Sequence, residues 1–538
     1  MLCVAEELIV RGGLVHDGSG APPRRADVVV SDGRIGAIHG TPRAHRRART
    51  IEAEGLAVAP GFIDMHSHAD YTLPAYPDAI NSISQGVTTE VVGNCGYSPA
   101  PQATDPGLRA GQRAAGLALG PALDWSWRSV ADFMARLDAA RPAVNVAVLV
   151  GHGTLRLGVV GADDRLATDA ELEGMRDLLH EGLEAGAFGM STGLVYPPGS
   201  FASTDEIVRV AEPLAAAGGL YASHVRSEGG GLADALEEAV TIARRVGTRV
   251  QVSHLKAAGL PNHGRMTEAH GILDHARGKG TRVTQDAYPY LAGSTLLTQL
   301  LPPWVQDGGI DALVERLRSP EVRDRVAREV RTGLPGWMSY AVVSGGWHEV
   351  VVAAVGDPSL RWLEGRTLAD AARQRGVEPL ALVFETLIAD RAATTMIVTL
   401  MSEPDVEASL AHPFTAIGSD QLGVTSREAR VHPRAYGTFV RVLGRIVRER
   451  GLMPLPEAIR RMTGLPASIL GLHDRGRIAQ GAVADLVVFD PERVADTSTY
   501  AHPTSQAVGI EHVLVGGRPA VEGGRVVDAH LGRVLKRR

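Results

Sequence analysis

The chain contains 538 residues, of which 44% are hydrophobic and 22% are charged. This is an ordinary composition for a soluble globular protein, and the length suffices for one large barrel with a smaller domain. The net charge of −6 argues against a general nucleic-acid binder, which would carry a basic excess. No run of 18 apolar residues predicts a membrane span.

The two cysteines, Cys3 and Cys95, predict no disulfide framework because they are far apart in the sequence. The first eleven residues lack the basic start and the apolar run of a secretory signal peptide. We therefore expect a reducing, cytoplasmic environment. The oligomeric state does not follow from the sequence.

Both ends of the chain contain short apolar runs separated by Gly and Asp turns, a pattern typical of strands and hairpins. The N-terminal runs are ELIVRGGLVHDGSG and ADVVVSDGRIGAIHG, and the C-terminal runs are GAVADLVVFDP and GIEHVLVGGRPAVEGGRVV. We expect the two ends to pair into one small β-sandwich domain made of residues 1–58 and 470–538.

Between the ends, apolar runs alternate with amphipathic helical stretches such as residues 169–185 and 231–246. Eight of these runs end in polar residues and are candidate strands. They cover residues 63–68, 90–95, 147–152, 188–192, 221–224, 251–254, 283–286 and 416–420. Eight strand–helix units predict an α/β fold, a (β/α)8 TIM-type barrel over residues 59–469.

A long segment, about residues 299–400, separates the predicted strands seven and eight. It contains Trp304, Trp337 and Trp347 together with several Pro and Gly residues. A barrel needs only a short crossover there, so we expect an inserted lid over the site. The alternative is a peripheral subdomain that does not contact the substrate.

His66 and His68 close the first predicted strand in the stretch GFIDMHSHAD. Side chains two residues apart in a strand point to the same side, so both imidazoles can bind one cation. An HxH pair alone is weakly specific, because buried structural histidines also produce it. Its position at the carboxyl end of a barrel strand favours a metal site, because the chemistry of this fold occurs at that face.

Four further side chains that can bind metal close other predicted strands. They are Cys95 on strand two, His224 on strand five, His254 on strand six and Asp420 on strand eight. Each has a structural alternative: an inert buried thiol, a hydrogen-bonded core histidine or a helix-capping aspartate. A thiolate with two imidazoles matches the donors that zinc prefers. Six such residues at strand ends together predict a metal centre.

This pattern resembles the amidohydrolase superfamily, with HxH on strand one, histidines on strands five and six, and aspartate on strand eight. It is most similar to the N-acyl-D-amino-acid deacylases, or D-aminoacylases. The stretches that carry the resemblance are GFIDMHSHAD, GNCGYSPAP, GHGTLR, GAFGMSTGLVYPPG, SHVRSEG, SHLKAAG, DAYPYLAGST, IGSDQLG and HPRAYGTFVRVLG. The resemblance implies a zinc-dependent hydrolase that converts a small N-acyl-D-amino acid into a carboxylic acid and a free D-amino acid.

The same resemblance implies a ligand arrangement. Strand four, AFGMSTGLVY, has no lysine at its end, whereas many binuclear amidohydrolases bridge two metals with a carboxylated lysine there. Cys95 is implied to take that bridging place. A tight zinc is implied on Cys95, His224 and His254, and a weaker second site on His66, His68 and Asp420.

The resemblance also implies which residues bind the α-carboxylate of the substrate. They are Lys256, Tyr288, Ser294 and Arg434. Arginine suits this role because its guanidinium can bind a carboxylate through two hydrogen bonds. His152 and Arg226 also lie at predicted strand ends and are further candidates for the pocket.

The expected chemistry is amide hydrolysis by activated water. Zinc in such a site lowers the pKa of bound water to about 7 and polarises the carbonyl. We expect Asp420 to take the proton from this water as general base and to return it to the leaving amine as general acid.

Three alternatives stay open at this point. A cyclic-amide hydrolase of the hydantoinase or dihydroorotase kind shares the barrel and the ligands, but normally uses the strand-four lysine that is missing here. A nucleobase deaminase shares the histidines and the aspartate but has no strand-two thiolate. A non-catalytic zinc-binding barrel would usually have lost ligands, and all six are present.

Overall fold

The computed structural model of the protein describes residues 7–40, 48–117, 119–121, 123–423 and 430–537, so Cys3 lies outside the described residues. Within these ranges, eight parallel strands form the central barrel. In chain order, barrel strands 1 to 8 are Phe62–Asp64, Val87–Val92, Asn145–Gly151, Gly189–Gly193, Leu220–His224, Arg249–Val252, Val283–Ala287 and Thr415–Ile417.

The barrel strands pair in chain order, and the eighth pairs with the seventh. The first and eighth strands are joined by a hydrogen bond from the Met65 amide to the Ile417 carbonyl (3.2 Å) and by a bridge between Ser67 and Gln421. Strand 3, NVAVLVG, is buried along its whole length, as expected for a parallel strand covered on both faces. The predicted (β/α)8 barrel is confirmed.

Helices of the described chain surround the barrel and fill the segments between the sheets. They are Ile80–Ile83, Pro106–Gly116, Val130–Ala140, His152–Val159, Asp169–Ala185, Thr204–Ala211, Pro213–Ala217, Leu232–Val246, Met266–Gly278, Gly309–Arg316, Pro320–Thr332, Tyr340–Val343, Leu368–Arg375, Pro379–Ala389, Glu403–Ala411, Arg434–Arg441, Leu455–Met462 and Gly464–Leu470. A π-helical segment, Val442–Glu449, continues the helix that begins at Arg434.

Local sequence explains where the helix Asp169–Ala185 begins and ends. Thr168 and Glu171 form a capping box at its start, and Gly186 ends it with φ 111°, a conformation that glycine adopts without strain. None of the helices within the described ranges combines the length and the apolar character that crossing a bilayer requires.

The two chain ends pair into one sheet, which has nine strands in the described residues. They are Leu8–Val15, Arg24–Ser31, Arg34–His39, Arg49–Glu52, Ala57–Pro60, Leu486–Phe489, Ile510–Val515, Arg518–Glu522 and Arg525–Val526. The antiparallel pairing of Ala57–Pro60 with Leu486–Phe489 joins the N-terminal and C-terminal strands. This sheet has its own apolar core, which includes Val10, Val28, Leu486 and Leu514.

The last residues of the chain leave this sheet and return to the barrel. The Val146 amide donates to the Arg533 carbonyl (2.9 Å), and the Leu535 amide donates to the Val146 carbonyl (2.8 Å). Leu535 is buried among barrel residues that include Ile63 and Val91. The C-terminal segment therefore covers the start of barrel strand 3, away from the carboxyl ends of the strands.

The expected insertion between barrel strands 7 and 8 contains a three-stranded antiparallel sheet. Its strands are Ala292–Leu296, Val350–Ala354 and Thr395–Thr399, with the third in the middle. The sheet begins at Ala292, directly after strand 7, so the inserted structure starts before residue 299 and includes Ser294.

Candidate metal centre and substrate pocket

Five of the six predicted ligands lie just beyond a barrel strand, and His224 is the last residue of strand 5. Their loops are tightly bent, because Cys95, His254 and Asp420 have positive φ angles of 52°, 34° and 53°. Such left-handed backbone is costly for residues other than glycine and tends to occur at functional sites. Strand 1 ends at Asp64, before His66 and His68. The alternation of side chains within a strand, from which the sequence analysis argued, therefore does not apply to these two histidines.

Glycines make the bend around Cys95 possible. Gly93 and Gly96 have φ angles of 80° and 76° on either side of it. A Cβ at Gly93 would lie 2.1 Å from the Leu149 carbonyl oxygen, and one at Gly96 would lie 2.7 Å from the Gly193 amide nitrogen. A larger residue at either position would therefore clash with the backbone of the neighbouring strands.

The structure brings the six predicted ligands together at the carboxyl ends of the strands. Within the described residues, three groups have ligand atoms that all lie within 4.8 Å of one another. These groups are His66, His68 and Cys95; Cys95, His224 and His254; and His66, His254 and Asp420.

Cys95 links two of these groups. Its Sγ lies 3.3 Å from His66 Nε2 and 3.4 Å from His254 Nε2. Asp420 Oδ1 lies 3.5 Å from His66 Nε2 and 3.3 Å from His68 Nε2 on the other side. One thiolate can therefore contact two cations, and one carboxylate can contact the second of them.

The donor set fits a thiophilic divalent cation. His224 is 3% exposed, yet neither of its ring nitrogens has a hydrogen-bond partner of good geometry among the described residues. An imidazole buried in this way is costly unless a ligand satisfies it. A metal bound with Cys95 and His254 would do so, and one thiolate with two imidazoles is a donor set suited to zinc.

The charges of the site favour the deprotonated forms of Cys95 and Asp420. Burial alone would raise the pKa of the Cys95 thiol, but the charges of His66 and His254 hold that pKa well below its usual value. Burial would also raise the pKa of Asp420, but Arg434 and His254 hold it well below its usual value. A thiolate and a carboxylate are the forms that bind a cation.

Two carboxylates that the sequence analysis did not assign support the histidines. Glu228 Oε1 lies 3.1 Å from His254 Nδ1, and Asp286 Oδ1 lies 3.2 Å from His66 Nδ1. Asp286 Oδ1 also accepts a hydrogen bond from the His254 amide at 2.8 Å. Carboxylates of this kind fix the ring orientation and tautomer, so that the opposite nitrogen can bind metal.

The residues expected to bind the α-carboxylate cluster around the ring of Tyr288. Lys256 Nζ lies 5.9 Å and the Arg434 guanidinium carbon 4.8 Å from its centroid. Lys256 Nζ contacts Glu228 Oε1 at 2.5 Å, and an Arg434 amino group donates to the Ser294 carbonyl at 3.3 Å. All four expected residues therefore lie on one side of the site.

Arg434 also pairs with Asp420. Its Nη1 lies 2.8 Å from Asp420 Oδ2, and the arginine is 1% exposed. Its Nε has no hydrogen-bond partner among the described residues. One donor of the guanidinium is therefore available for another anion while the pair stays intact.

A pocket of about 650 Å³ opens onto the metal ligands. The insertion supplies part of its wall, including Ser294, Leu296, Tyr340 and Val398. The insertion therefore lies at the site, which favours the predicted lid over a peripheral subdomain. Lys256 and Tyr288 line this pocket, whereas Arg434 lines an adjoining pocket that shares Ser294 with it.

The two further candidates lie elsewhere. His152 Nε2 is 3.2 Å from Glu206 Oε1, which also accepts a hydrogen bond from Arg156. Arg226 donates to Glu238 at 2.8 and 2.9 Å. Both side chains are held by carboxylates and neither lines the pocket above the ligands.

Fold and site together place the protein among the metal-dependent hydrolases built on a parallel barrel. The amidohydrolase family matches residues 49–521. D-aminoacylase of Alcaligenes xylosoxydans xylosoxydans is 40% identical over 531 residues, which cover 99% of this chain and 98% of that protein. N-acyl-D-aspartate deacylase of the same organism is also 40% identical, over 98% of this chain and 95% of that protein. The chain therefore belongs to the N-acyl-D-amino-acid deacylases of the amidohydrolase family.

A solved structure agrees with this assignment. N-acyl-D-glutamate deacylase from Bordetella bronchiseptica matches this chain with a TM-score of 0.83 and 38% identity, over 98% of this chain and 99% of that chain. That structure is a complex with zinc and a phosphonate that mimics the tetrahedral intermediate of the reaction. The predicted enzyme class, a metal-dependent amidohydrolase, is confirmed. The identity of 38–40% over nearly the whole chain favours this class over the cyclic-amide hydrolase, deaminase and non-catalytic alternatives.

Proposed function

We propose that the protein hydrolyses the amide bond of small N-acyl-D-amino acids, releasing a carboxylic acid and a free D-amino acid. One observation carries this proposal: a single buried thiol, Cys95, lies within 3.4 Å of imidazoles from two ligand groups, beside the carboxylate of Asp420. The substrates named for the two Alcaligenes relatives and the Bordetella relative support it, because all three are D-amino-acid deacylases.

Zinc is the proposed metal, as in the Bordetella enzyme. Cys95, His224 and His254 would hold it tightly, and His66, His68 and Asp420 would form a weaker second site. When bound, zinc lowers the pKa of water and polarises the scissile carbonyl. Glu228 and Asp286 keep the rings of His254 and His66 turned towards the centre.

Asp420 is the proposed general base and general acid. Its low pKa keeps it ionised, so it can accept a proton from the attacking water. It then returns that proton to the amine nitrogen as the C–N bond breaks. Arg434 pairs with the Oδ2 atom of Asp420, and the Oδ1 atom lies next to the imidazoles. Oδ1 is therefore the oxygen that would accept the proton.

The proposed carboxylate site consists of Lys256, Tyr288, Ser294 and Arg434. Its two cations are already partly neutralised, Lys256 by Glu228 and Arg434 by Asp420. A bound α-carboxylate would share these two cations with Glu228 and Asp420. This would fix the amino-acid side of the amide relative to Asp420.

A panel of N-acetyl D- and L-amino acids with added zinc tests the proposed function through the release of free amine. We expect turnover of D-substrates, little or none of L-substrates, and loss of turnover after chelation. Hydantoins serve as a control for the cyclic-amide alternative. Equal rates on both enantiomers would contradict the stereochemistry, and no turnover of any N-acyl amino acid would contradict the function.

Replacing Arg434 with Ala should raise KM for N-acetyl-D-amino acids about tenfold to hundredfold, because a charge-assisted hydrogen bond contributes about 1.5–3 kcal/mol. Steady-state kinetics measure this, and Arg434→Lys should recover only part of the loss. Arg450→Ala is the control, because Arg450 is partly exposed, pairs with Glu407 and lines neither of the two pockets. An unchanged KM would refute the role of Arg434.

We also propose the division of the chain into a β-domain of residues 1–58 with 470–538 and a barrel of residues 59–469. The pairing of strand Ala57–Pro60 with Leu486–Phe489 supports a domain made from both ends. A cytoplasmic location stays a prediction from the sequence.

A further inference from the structure

A further chamber, distinct from the pocket that Arg434 lines, adjoins the catalytic pocket. It is larger than the catalytic pocket and open to solvent, and Tyr97 and Leu296 line both spaces. The chamber lies between the helix Pro106–Gly116, the helix His152–Val159 and the insertion. Tyr97 and Leu296 therefore lie at the boundary between the two spaces.

The chamber is lined mainly by small and apolar side chains. The helix Pro106–Gly116 contributes glycines and alanines, and Leu157, Val160, Ile310 and Leu313 form other parts of the wall. Its paired charges, Asp311 and Arg391, are exposed to solvent at the edge. Such a lining can bind an alkyl chain but offers few hydrogen bonds to a polar group.

We infer that this chamber binds the acyl chain of the substrate, and that the enzyme prefers N-acyl-D-amino acids with medium-length or long alkyl acyl groups. The inference rests on the proposed function, because it names the acyl class for that same site. The alkyl part of the acyl group would pass from the catalytic pocket into the chamber between Tyr97 and Leu296.

The position of the chamber relative to the carboxylate site supports the acyl group as its occupant. Lys256, Tyr288 and Arg434 follow barrel strands 6, 7 and 8, whereas Tyr97 and Pro197 follow strands 2 and 4. Strands 2–4 lie opposite strands 6–8 in an eight-stranded barrel. With the amide over the metal ligands and the α-carboxylate on one side, the acyl carbon chain extends towards the other side.

Glycine keeps part of the chamber open. A Cβ placed on Gly111 would meet no described atom within 4 Å, so this position faces free space although it lies inside a helix. Gly in a helix costs about 0.5–1 kcal/mol relative to Ala. Gly111 is exposed and lines the chamber, so a larger side chain there has room beside the chamber wall without a clash in the folded protein.

A series of N-acyl-D-amino acids with one amino acid and acetyl, butyryl, hexanoyl, octanoyl or decanoyl groups tests the inference. We expect kcat/KM to rise roughly threefold to fourfold per added methylene, until the chamber is filled. A fall in kcat/KM beyond butyryl would overturn the inference. Turnover of the acetyl substrate alone would leave the proposed function standing, so the two failures are distinguishable.

A second series separates the acyl chain from the amino-acid side chain as the occupant. It keeps the acetyl group and lengthens the D-side chain from alanine to norleucine. If kcat/KM rose with side-chain length and not with acyl length, the inference would be wrong. Octanoate should also inhibit at least about tenfold more strongly than acetate, and equal inhibition would contradict it.

The variant Gly111→Phe should lower the ratio of octanoyl to acetyl kcat/KM at least tenfold. Gly271→Phe is the matched control, because Gly271 is also a helical glycine with free space around it but lies outside the chamber. That control should leave the ratio unchanged. An unchanged ratio in Gly111→Phe, with circular dichroism that shows a folded protein, would overturn the inference.

Discussion

Replacing Asp420 with Asn should lower kcat about a hundredfold to ten-thousandfold while the tight zinc stays bound. An amide cannot accept a proton from water, and general acid–base catalysis contributes about this factor. Zinc should remain because its proposed ligands are Cys95, His224 and His254. The fold should also remain, since Asn tolerates left-handed backbone such as the φ of 53° at this position.

Zinc content by atomic absorption, kcat and KM measured on one preparation check this result. The matched control is Asp324→Asn, an exposed aspartate on the helix Pro320–Thr332, which should behave like the wild type. Near-normal turnover by Asp420→Asn would remove Asp420 from its catalytic role. A parallel loss of zinc would instead assign Asp420 to the tight site.

The barrel could be predicted because its strands carry a strong signal. Parallel strands covered on both faces require nearly continuous apolar runs, and NVAVLVG of strand 3 is such a run. The positions at which the strands end were harder to predict. Strand 8 consists of only three residues, Thr415–Ile417. Asp420 lies beyond it and has a positive φ angle, which no hydrophobic pattern predicts.

The insertion shows why some boundaries depend on distant pairing. Ala292–Leu296 is a strand because it pairs with Thr395–Thr399, about a hundred residues later. The sequence alone would predict an irregular loop for this segment, directly after strand 7. Its inclusion matters for the site, because Ser294 and Leu296 belong to this strand and both line the pocket.

The clustering of the six candidate ligands could be predicted because side chains at the carboxyl ends of barrel strands meet at one face. The supporting carboxylates could not be assigned by the same argument. Glu228 lies four residues beyond His224 in a loop, and only its tertiary position turns it towards His254 and Lys256. Asp286 ends a predicted strand, but the sequence does not distinguish a carboxylate that holds a histidine from one that binds metal.

Replacing Cys95 with Ser should remove the tight zinc and nearly all activity. A serine hydroxyl stays protonated near neutral pH and is a poor zinc ligand, whereas His66 and His254 hold the pKa of the Cys95 thiol well below its usual value. Because Sγ contacts both His66 and His254, its loss should weaken both ligand groups. Zinc per protein should fall from about one to well below one, and added zinc should not restore kcat.

Cys3→Ser is the matched control, because Cys3 is the other cysteine of the sequence. It is not among the predicted ligands, so this variant should keep both zinc and activity. Stability provides a measurement independent of turnover. A ligand that binds only the folded state at a hundred times its Kd stabilises it by about 2.7 kcal/mol, so chelation should lower the Tm of the wild type. In Cys95→Ser, chelation should leave the Tm almost unchanged. A serine variant that retained one zinc, with a Tm as sensitive to chelation as the wild type, would show that the thiol is not a ligand.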